Sequence, residues 1–563
     1  MKKTLMRTAA LLLSVGCMAT LAGCGGKKTA STDIIKFDTT GEAGMAGFTP
    51  FAERVTISVP VYDRGLAGYP AVDNNYWTSY VQQQFGDKYN IIVKYVAIPR
   101  TDVMTKYSML IAAQETPTIL MEYDYPKVSQ WATDGAMQEI DLDSFKHIAP
   151  TYYQKMVEND QLVYTQLQGK TYFVLAERPY YNTSFNMQTF CRMDWLRKIG
   201  YDHPPKNYDE YCDVMDKIIA AGLTDQAPQP LSIPKAPTVL ENFSFRDFPV
   251  DEEEWVMHSS LGTAALPWEP TRKFLKRTNA EYHKGYTTRE FELDLDNMQA
   301  RTDFVNGKTF SYGFYVAPTV DWLNAFYKNN PDGELVLVDG GQGYDGVDIK
   351  TLQGRADSPF GMIVGFSSYA SADQLKAAWM YMEWMSQADN LFIMQNGFEG
   401  INYTLGDDGY PVMLNLEGSG KPEMLNNNDN KDMWCIVVEV KTRETIEDSI
   451  RAIAPRNLPQ DFTQAMIDGN KIAQTMAANG QNYTDPIFAV AIESEAEYAA
   501  SLFSLYQEYF TKLVKCDPSE FDDLYAKFSK EYLDAGYQEV IDERLNAYRN
   551  GLTTHLPEKT KKH

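Results

Sequence analysis

Cysteine and histidine are scarce, at six each in 563 residues. Cys191, Cys212, Cys435 and Cys516 are scattered with no C-x-x-C pair, so the spacing defines neither a zinc site nor a disulfide framework. Free thiols fit it better than a single Cys191–Cys212 bridge. No H-E-x-x-H occurs, and Gly365-Phe366-Ser367-Ser368-Tyr369 lacks the last glycine of a nucleophile elbow. Gly307-Lys308-Thr309 and Gly169-Lys170-Thr171 lack the leading glycine of a P-loop, where Thr302 and Tyr164 stand instead. Gly341-x-Gly343-x-x-Gly346 follows a strand-like run at 335–338, but no helical pattern opens behind it to aim N–H groups at a pyrophosphate. These absences argue against metalloprotease, serine-hydrolase and nucleotide chemistry. They leave open a surface enzyme acting on polysaccharide, because paired carboxylates for glycoside hydrolysis have no fixed spacing in sequence.

Positive charge is also short, with 52 Lys+Arg against 76 Asp+Glu and a net charge of −24. Such a surface repels a phosphate backbone, so nucleic acid is excluded as a partner. With 44% hydrophobic and 23% charged residues the chain is an ordinary globular one, and its length favours two or three large lobes. After residue 20 no apolar run approaches the 18 or so residues of a membrane-spanning helix.

What is present begins with an address. Lys2, Lys3 and Arg7 precede a short apolar run at 8–20, and Leu21-Ala22-Gly23-Cys24 follows: the pattern of a cleaved export signal, residues 1–23. The tetrapeptide resembles the bacterial lipobox, which implies that Cys24 is lipidated and holds the protein on the outer face of the cell membrane. Residues 24–49, rich in Gly, Ser and Thr, are expected to form a flexible tether.

Beyond them Val55, Ile57, Val59 and Val61 alternate as a strand, 91–96 is a second, and 119–121 a third. Helical spacings fall between them, at Tyr76, Tyr80 and Phe85 and along 102–115. Alternation at this pitch indicates βαβ units and a largely parallel sheet, whose ligands sit beyond the carboxyl ends of the strands. That rule puts Asp63-Arg64 and Tyr123-Asp124 at one rim. The C-terminal third is helical: Leu502, Tyr506, Tyr509 and Leu513 form one stripe, and Asp517-Pro518-Ser519-Glu520 looks like the cap of the next helix. Tyrosine, at 36 residues, outnumbers phenylalanine at 27 and suits a wet binding cleft.

Four segments resemble the extracellular solute-binding lipoproteins of bacterial ABC importers, in their carbohydrate-binding group. They are Gly169-Lys170-Thr171-Tyr172-Phe173; Arg192-Met193-Asp194-Trp195-Leu196 through Tyr208-Asp209-Glu210-Tyr211; Leu275 to Thr288; and Asn396-Gly397-Phe398-Glu399-Gly400 with Asp408-Gly409-Tyr410-Pro411. The resemblance implies a two-lobed, type II periplasmic-binding-protein-like α/β fold with hinge crossovers, residues 50–167 with 340–395 in one lobe and 168–339 with 396–563 in the other. It implies an oligosaccharide ligand, ABC permease transmembrane subunits as partners, no catalysis and no cofactor, in a monomer. A peptide or another non-sugar solute remains the alternative ligand. The implied ligand-binding residues are Asp63, Arg64 and Asp124 after the strands, Trp77 on the first helix, Glu177, Arg178, Tyr180 and Tyr181 in the next loop, and Tyr312, Tyr315 and Trp322 as an aromatic platform. Many relatives carry an acidic calcium loop where this chain has residues 219–228; one carboxylate there, Asp225, cannot replace three, so no metal is expected.

Overall fold

The computed structural model describes residues 33–555 apart from 66–69, 179–186, 232, 234–250, 261–262, 295–297, 316–320, 339–353, 356–357, 408, 415–429, 440–446, 448–459 and 480–481. The first half supplies β1 (Val55–Asp63), α1 (Tyr76–Val81), β2 (Ile91–Pro99), α2 (Val103–Ala112), β3 (Ile119–Glu122), α3 (Tyr125–Thr133), β4 (Phe173–Leu175), β5 (Met187–Arg192) and α4 (Glu252–His258). The second supplies β6 (Ser311–Tyr315), β7 (Leu335–Leu337), β8 (Ile363–Phe366), α5 (Ala372–Ser386), α6 (Lys431–Trp434), α7 (Glu493–Lys515), α8 (Phe521–Tyr532) and α9 (Gln538–Arg549).

β1 and β2 pair in parallel from Val55↔Ile91 to Asp63↔Pro99. β1 meets β3 through reciprocal side-chain bonds: the Ser58 N–H donates to Thr118 Oγ1 at 3.0 Å and the Thr118 N–H to Ser58 Oγ at 2.8 Å. β8 then runs antiparallel between β3 and β4. The second sheet has β5 at its centre, antiparallel to both β6 and β7. The parallel pairing expected from βαβ spacing holds for β1 and β2, and β3 and β4 run parallel to each other across β8; the departures are β8 itself and the second sheet, which is antiparallel throughout. The chain leaves the first sheet after β4, builds the second, and returns as β8 in the opposite direction, which periodicity of single segments cannot reveal.

Local chemistry sets the helix starts. Asn75 caps α1 in a reciprocal box with Thr78, Asp124 caps α3, and Ser371 forms a box with Gln374 at α5. The cap expected at Asp517 serves a turn instead: its carboxylate accepts from the Ser519 N–H at 2.8 Å, and α8 opens only at Phe521. The buried stripe Leu502, Tyr506, Tyr509 and Leu513 sits as expected on α7 and packs against α8 and α9 in a separate helical core. All four described cysteines are free thiols.

Two expectations about chain organisation change. Phe173–Ala176 and Met433–Val438, assigned to the second lobe, pack in the first core with β1, β3 and α5, because β4 pairs with β8. The tether is shorter than residues 24–49. Ile35 bridges Ile140, the Phe37 N–H donates to Ser144 Oγ at 2.9 Å, and the Phe37 ring meets Trp379 edge-on at 5.3 Å. Met45, Phe48 and Phe51 continue along the same core, so the strap from 33 onward is part of the lobe. Phe37→Ala is expected to cost about 2 kcal/mol in urea unfolding, below the full cost of a buried aromatic because Phe37 is half-buried.

Candidate functional site: the carboxyl rim of the first sheet

β1 alternates at its start, but from Val59 to Tyr62 both faces are buried. The cause is the cluster gathered over its end. Tyr62 is fully buried, and its hydroxyl donates to Glu122 Oε2 at 2.6 Å. Arg100 lies over the Tyr62 ring at 4.6 Å, and its guanidinium is 3.8 Å from Glu122 Oε1. Burial and the adjacent Glu122 hold the Tyr62 hydroxyl far above its ordinary pKa, so it acts as a hydrogen-bond donor and not as an acid.

Arg64, one residue past β1, does not stand open to solvent. It grips Asp432 of α6 with two bonds, Nη1–Oδ2 at 2.9 Å and Nη2–Oδ1 at 3.2 Å. Asp432 is 4% exposed and also accepts the Tyr62 N–H at 2.9 Å. A second fork repeats this beside β4: Arg178 Nε and Nη2 both bond Glu439, the latter at 3.1 Å, and Nη1 reaches the Ser358 carbonyl at 3.4 Å. Glu177 receives Lys155 Nζ at 3.4 Å. Asp124 accepts the Lys127 N–H at 3.1 Å as the cap of α3, and burial pushes its carboxyl up to about 7.

Asp432→Ala is expected to cost about 3 kcal/mol, because it leaves the Arg64 guanidinium and the Tyr62 N–H without their acceptor. Asp432→Asn keeps an acceptor and should cost clearly less in the same urea unfolding measurement.

The structure gathers Asp63, Arg64, Asp124, Glu177 and Arg178 near the carboxyl ends of β1, β3 and β4. Asp63 is exposed and holds the Gly65 N–H at 2.8 Å. Trp77 is only 1% exposed and stacks on Phe398 at 6.1 Å, so it presents no free ring face. Tyr76, its neighbour, is 45% exposed and carries the open aromatic surface of α1. Tyr312 is also buried, stacked on Phe304 at 5.5 Å, and burial raises its hydroxyl to about 12. Its expected place on a platform is thus taken by core packing. Tyr180 and Tyr181 lie outside the described residues, as do the side chains of Tyr315 and Trp322, and as do Cys24 and Gly341 to Gly346.

Arg100, Glu122, Asp432 and Glu439 were missed. Arg100 follows β2 and falls under the same strand-end rule that singled out Arg64. Asp432 and Glu439 have no local signal, since they reach Arg64 and Arg178 from 368 and 261 residues away.

Two of the four segments carrying the family resemblance are architectural. Gly397 sits at φ 76°, and a Cβ there would come within 2.5 Å of Asn402, whose Oδ1 accepts the Phe398 N–H at 3.0 Å. That turn leads from the helix Ala388–Asn396 into the hairpin Tyr403–Leu405 with Pro411–Met413. In the other, Arg192 bonds Asp194 at 2.8 and 2.6 Å and covers the buried Trp195 at 5.1 Å.

Between α3 and the segment around Ile487, walled by Arg544, is a pocket of about 40 Å³, room for water but not for a sugar ring. Among the described residues no group of three or more His, Cys, Asp or Glu could hold a metal ion, and no helix is long and apolar enough to cross a membrane.

No protein-family model matches the chain, and no curated protein matches it significantly. Solved structures do. The alginate-binding protein AlgQ2, without calcium ion, superposes with a TM-score of 0.61 at 15% identity, over 89% of this chain and 99% of that one. An HMO binding, ABC-transporter associated solute binding protein from Bifidobacterium longum infantis gives 0.59 at 14% identity, over 89% and 100%. The N-glycan transport solute binding protein NgtS from Streptococcus pneumoniae gives 0.56 at 14% identity, over 89% and 99%. Likeness along nearly the whole of both chains at such low identity is a likeness of architecture: this chain has the two-lobed, type II periplasmic-binding-protein-like α/β fold.

Proposed function

We propose that this protein is the solute-binding component of an ABC importer, capturing an oligosaccharide between its lobes and delivering it to the transmembrane permease. The observation that carries the reading is the end-to-end structural match to proteins whose names state sugar binding or sugar transport, with 99–100% of each of their chains covered. The rim supports it. The exposed ring of Tyr76 offers a flat apolar face to sugar C–H groups, while forked arginine–carboxylate pairs present fixed donors and acceptors to hydroxyls.

Closure is the working step. A ligand that touches both lobes favours the closed form by the free energy of the contacts added on closing, and the permease meets a surface assembled only then. One lobe would be built on strands β2, β1, β3, β8 and β4, in that spatial order, and the other on the β5 sheet and the C-terminal helices. Export by the leader and lipidation of Cys24 would keep the protein outside the cytoplasm on the membrane, as a monomer and without catalysis.

Isothermal titration calorimetry against a panel of oligosaccharides, followed by analysis of the recovered sugar, tests the proposal. Saturable one-to-one binding near micromolar, about 8 kcal/mol, with intact sugar is the expected result. Cleavage products would make the protein an enzyme. Silence with every glycan, together with heat from peptides, would move the ligand class.

A further inference from the structure

We infer that the protein rides the membrane on the strap side of its first lobe, with the lipid bilayer as the partner of that face, because the docked strap leaves Cys24 only a short leash. The inference rests on the lipid-anchor reading above and adds an orientation to it.

The strap is fastened at short intervals. Ile35 bridges Ile140, and Lys36 Nζ lies 3.6 Å from Asp141. The Phe37 N–H donates to Ser144 Oγ at 2.9 Å, and that hydroxyl is itself held by Asp141 at 2.6 Å. Gly44 is buried at φ 62°, where a Cβ would come within 2.9 Å of the Pro150 ring. Phe48 meets Tyr89 edge-on at 5.6 Å, and the Phe51 N–H donates to the Tyr89 carbonyl at 3.0 Å. Asn90 Nδ2 then bonds the Phe51 carbonyl at 2.8 Å, and β1 begins at Val55. A segment tied this often is carried by the lobe as part of one body.

The same contacts say where the leash leaves the lobe. The Ile140 N–H donates to the Thr171 carbonyl, just before β4. The Gln138 N–H donates to the carbonyl of Phe366, which pairs with Ile119 at the start of β3. The leash therefore departs from the amino ends of these strands, at the opposite end of the sheet from the rim that holds Asp63 and Arg64.

Length then decides the orientation. The nine peptide steps from Cys24 to Asp33 span at most about 30 Å in any conformation. Had the chain stayed loose up to Val55, it would reach about 100 Å. A compact chain of this size is about 60 Å across. A leash half that length cannot pass round the body, so the face carrying Ile35, Ile140 and Ser144 stays toward the bilayer. The first lobe is then the fixed one during closure, and the second lobe is the one that swings. The carboxyl rim stays clear of the anchor.

The test places the full-length lipidated protein in phosphatidylcholine vesicles with an acceptor dye on some head groups. A donor dye is attached through an unnatural amino acid either at Asp143, exposed on the helix Leu142–Ile148 beside the strap, or at Lys530, whose side chain is 75% exposed on α8 in the separate helical core. Energy transfer from position 143 should exceed that from position 530 at least about twofold, because the body's width can separate the second donor from the lipid. Inserting about 40 Gly/Ser residues after Gly26 lets the body turn over and should make the two transfers equal. Equal transfer in the membrane-bound native chain, or a difference that survives the insertion, would overturn the inference and leave the anchor reading in place. Protein recovered entirely free of membrane would overturn the anchor reading, and the inference with it.

Discussion

Arg544→Met is expected to destabilise the protein by about 3–5 kcal/mol, the largest single effect among these predictions. Arg544 and Glu495 are both 2% exposed, and they bond at 3.1 Å. The guanidinium also donates to the Val256 carbonyl at 2.7 Å and to the Ser259 carbonyl, and it lies over the Phe488 ring at 4.9 Å. One side chain of α9 thus holds the end of α4 and the start of α7 together. Methionine fills much of the volume but leaves the Glu495 carboxylate buried, with the Ser260 and Thr263 hydroxyls as its remaining side-chain donors among the described residues. The cost is chiefly that stranded charge, so the double variant Arg544→Met with Glu495→Leu should recover most of the loss. Urea unfolding of the two variants decides it: equal losses in both would mean that packing, and not the unpaired carboxylate, is responsible.

Acidification should weaken the same helical core through His258. Its ring is stacked on Trp268 at 5.4 Å, and Nδ1 is 3.0 Å from the Tyr537 hydroxyl. Burial, with the Arg544 charge nearby, lowers its pKa to about 3. The unfolded chain takes up that proton near the ordinary histidine value of about 6.5, and the folded chain does not until about pH 3. Between those values the unfolded state binds more protons, so stability falls as pH falls. From pH 7 to pH 4.5 the loss from this group is about 2–3 kcal/mol. Asp124 opposes it. Its carboxyl is raised to about 7 in the fold, so it loses stability as pH rises between about 4 and 7. Because Asp124 is only half-buried, the histidine should dominate. His258→Phe isolates the effect: its unfolding free energy should fall less than the wild type's between pH 7 and pH 4.5. Parallel pH curves for the two proteins would refute the assignment.

Much of the first lobe was legible because its signals are local. Alternation in β1 and the apolar run of β3 depend on residues within a few positions of one another, and each strand formed where those patterns lie. The heptad-like stripe of α7 was legible for the same reason. The strand-end rule also placed Arg64 and Asp124 just past β1 and β3, where the structure has them.

What the sequence by itself determined, then, was the α/β class, the positions of most elements near the rim, and the acidic character of the surface. Tertiary structure decided the rest. It reversed the direction of β8, docked the strap from residue 33 onto Trp379, and turned Trp77 and Tyr312 inward, where their rings bury more surface than a cleft wall would allow. It also set Asp432 and Glu439 against arginines hundreds of residues away. Periodicity and propensity act over a few residues, whereas pairing a charge or burying a ring is settled by whichever distant segment packs against it.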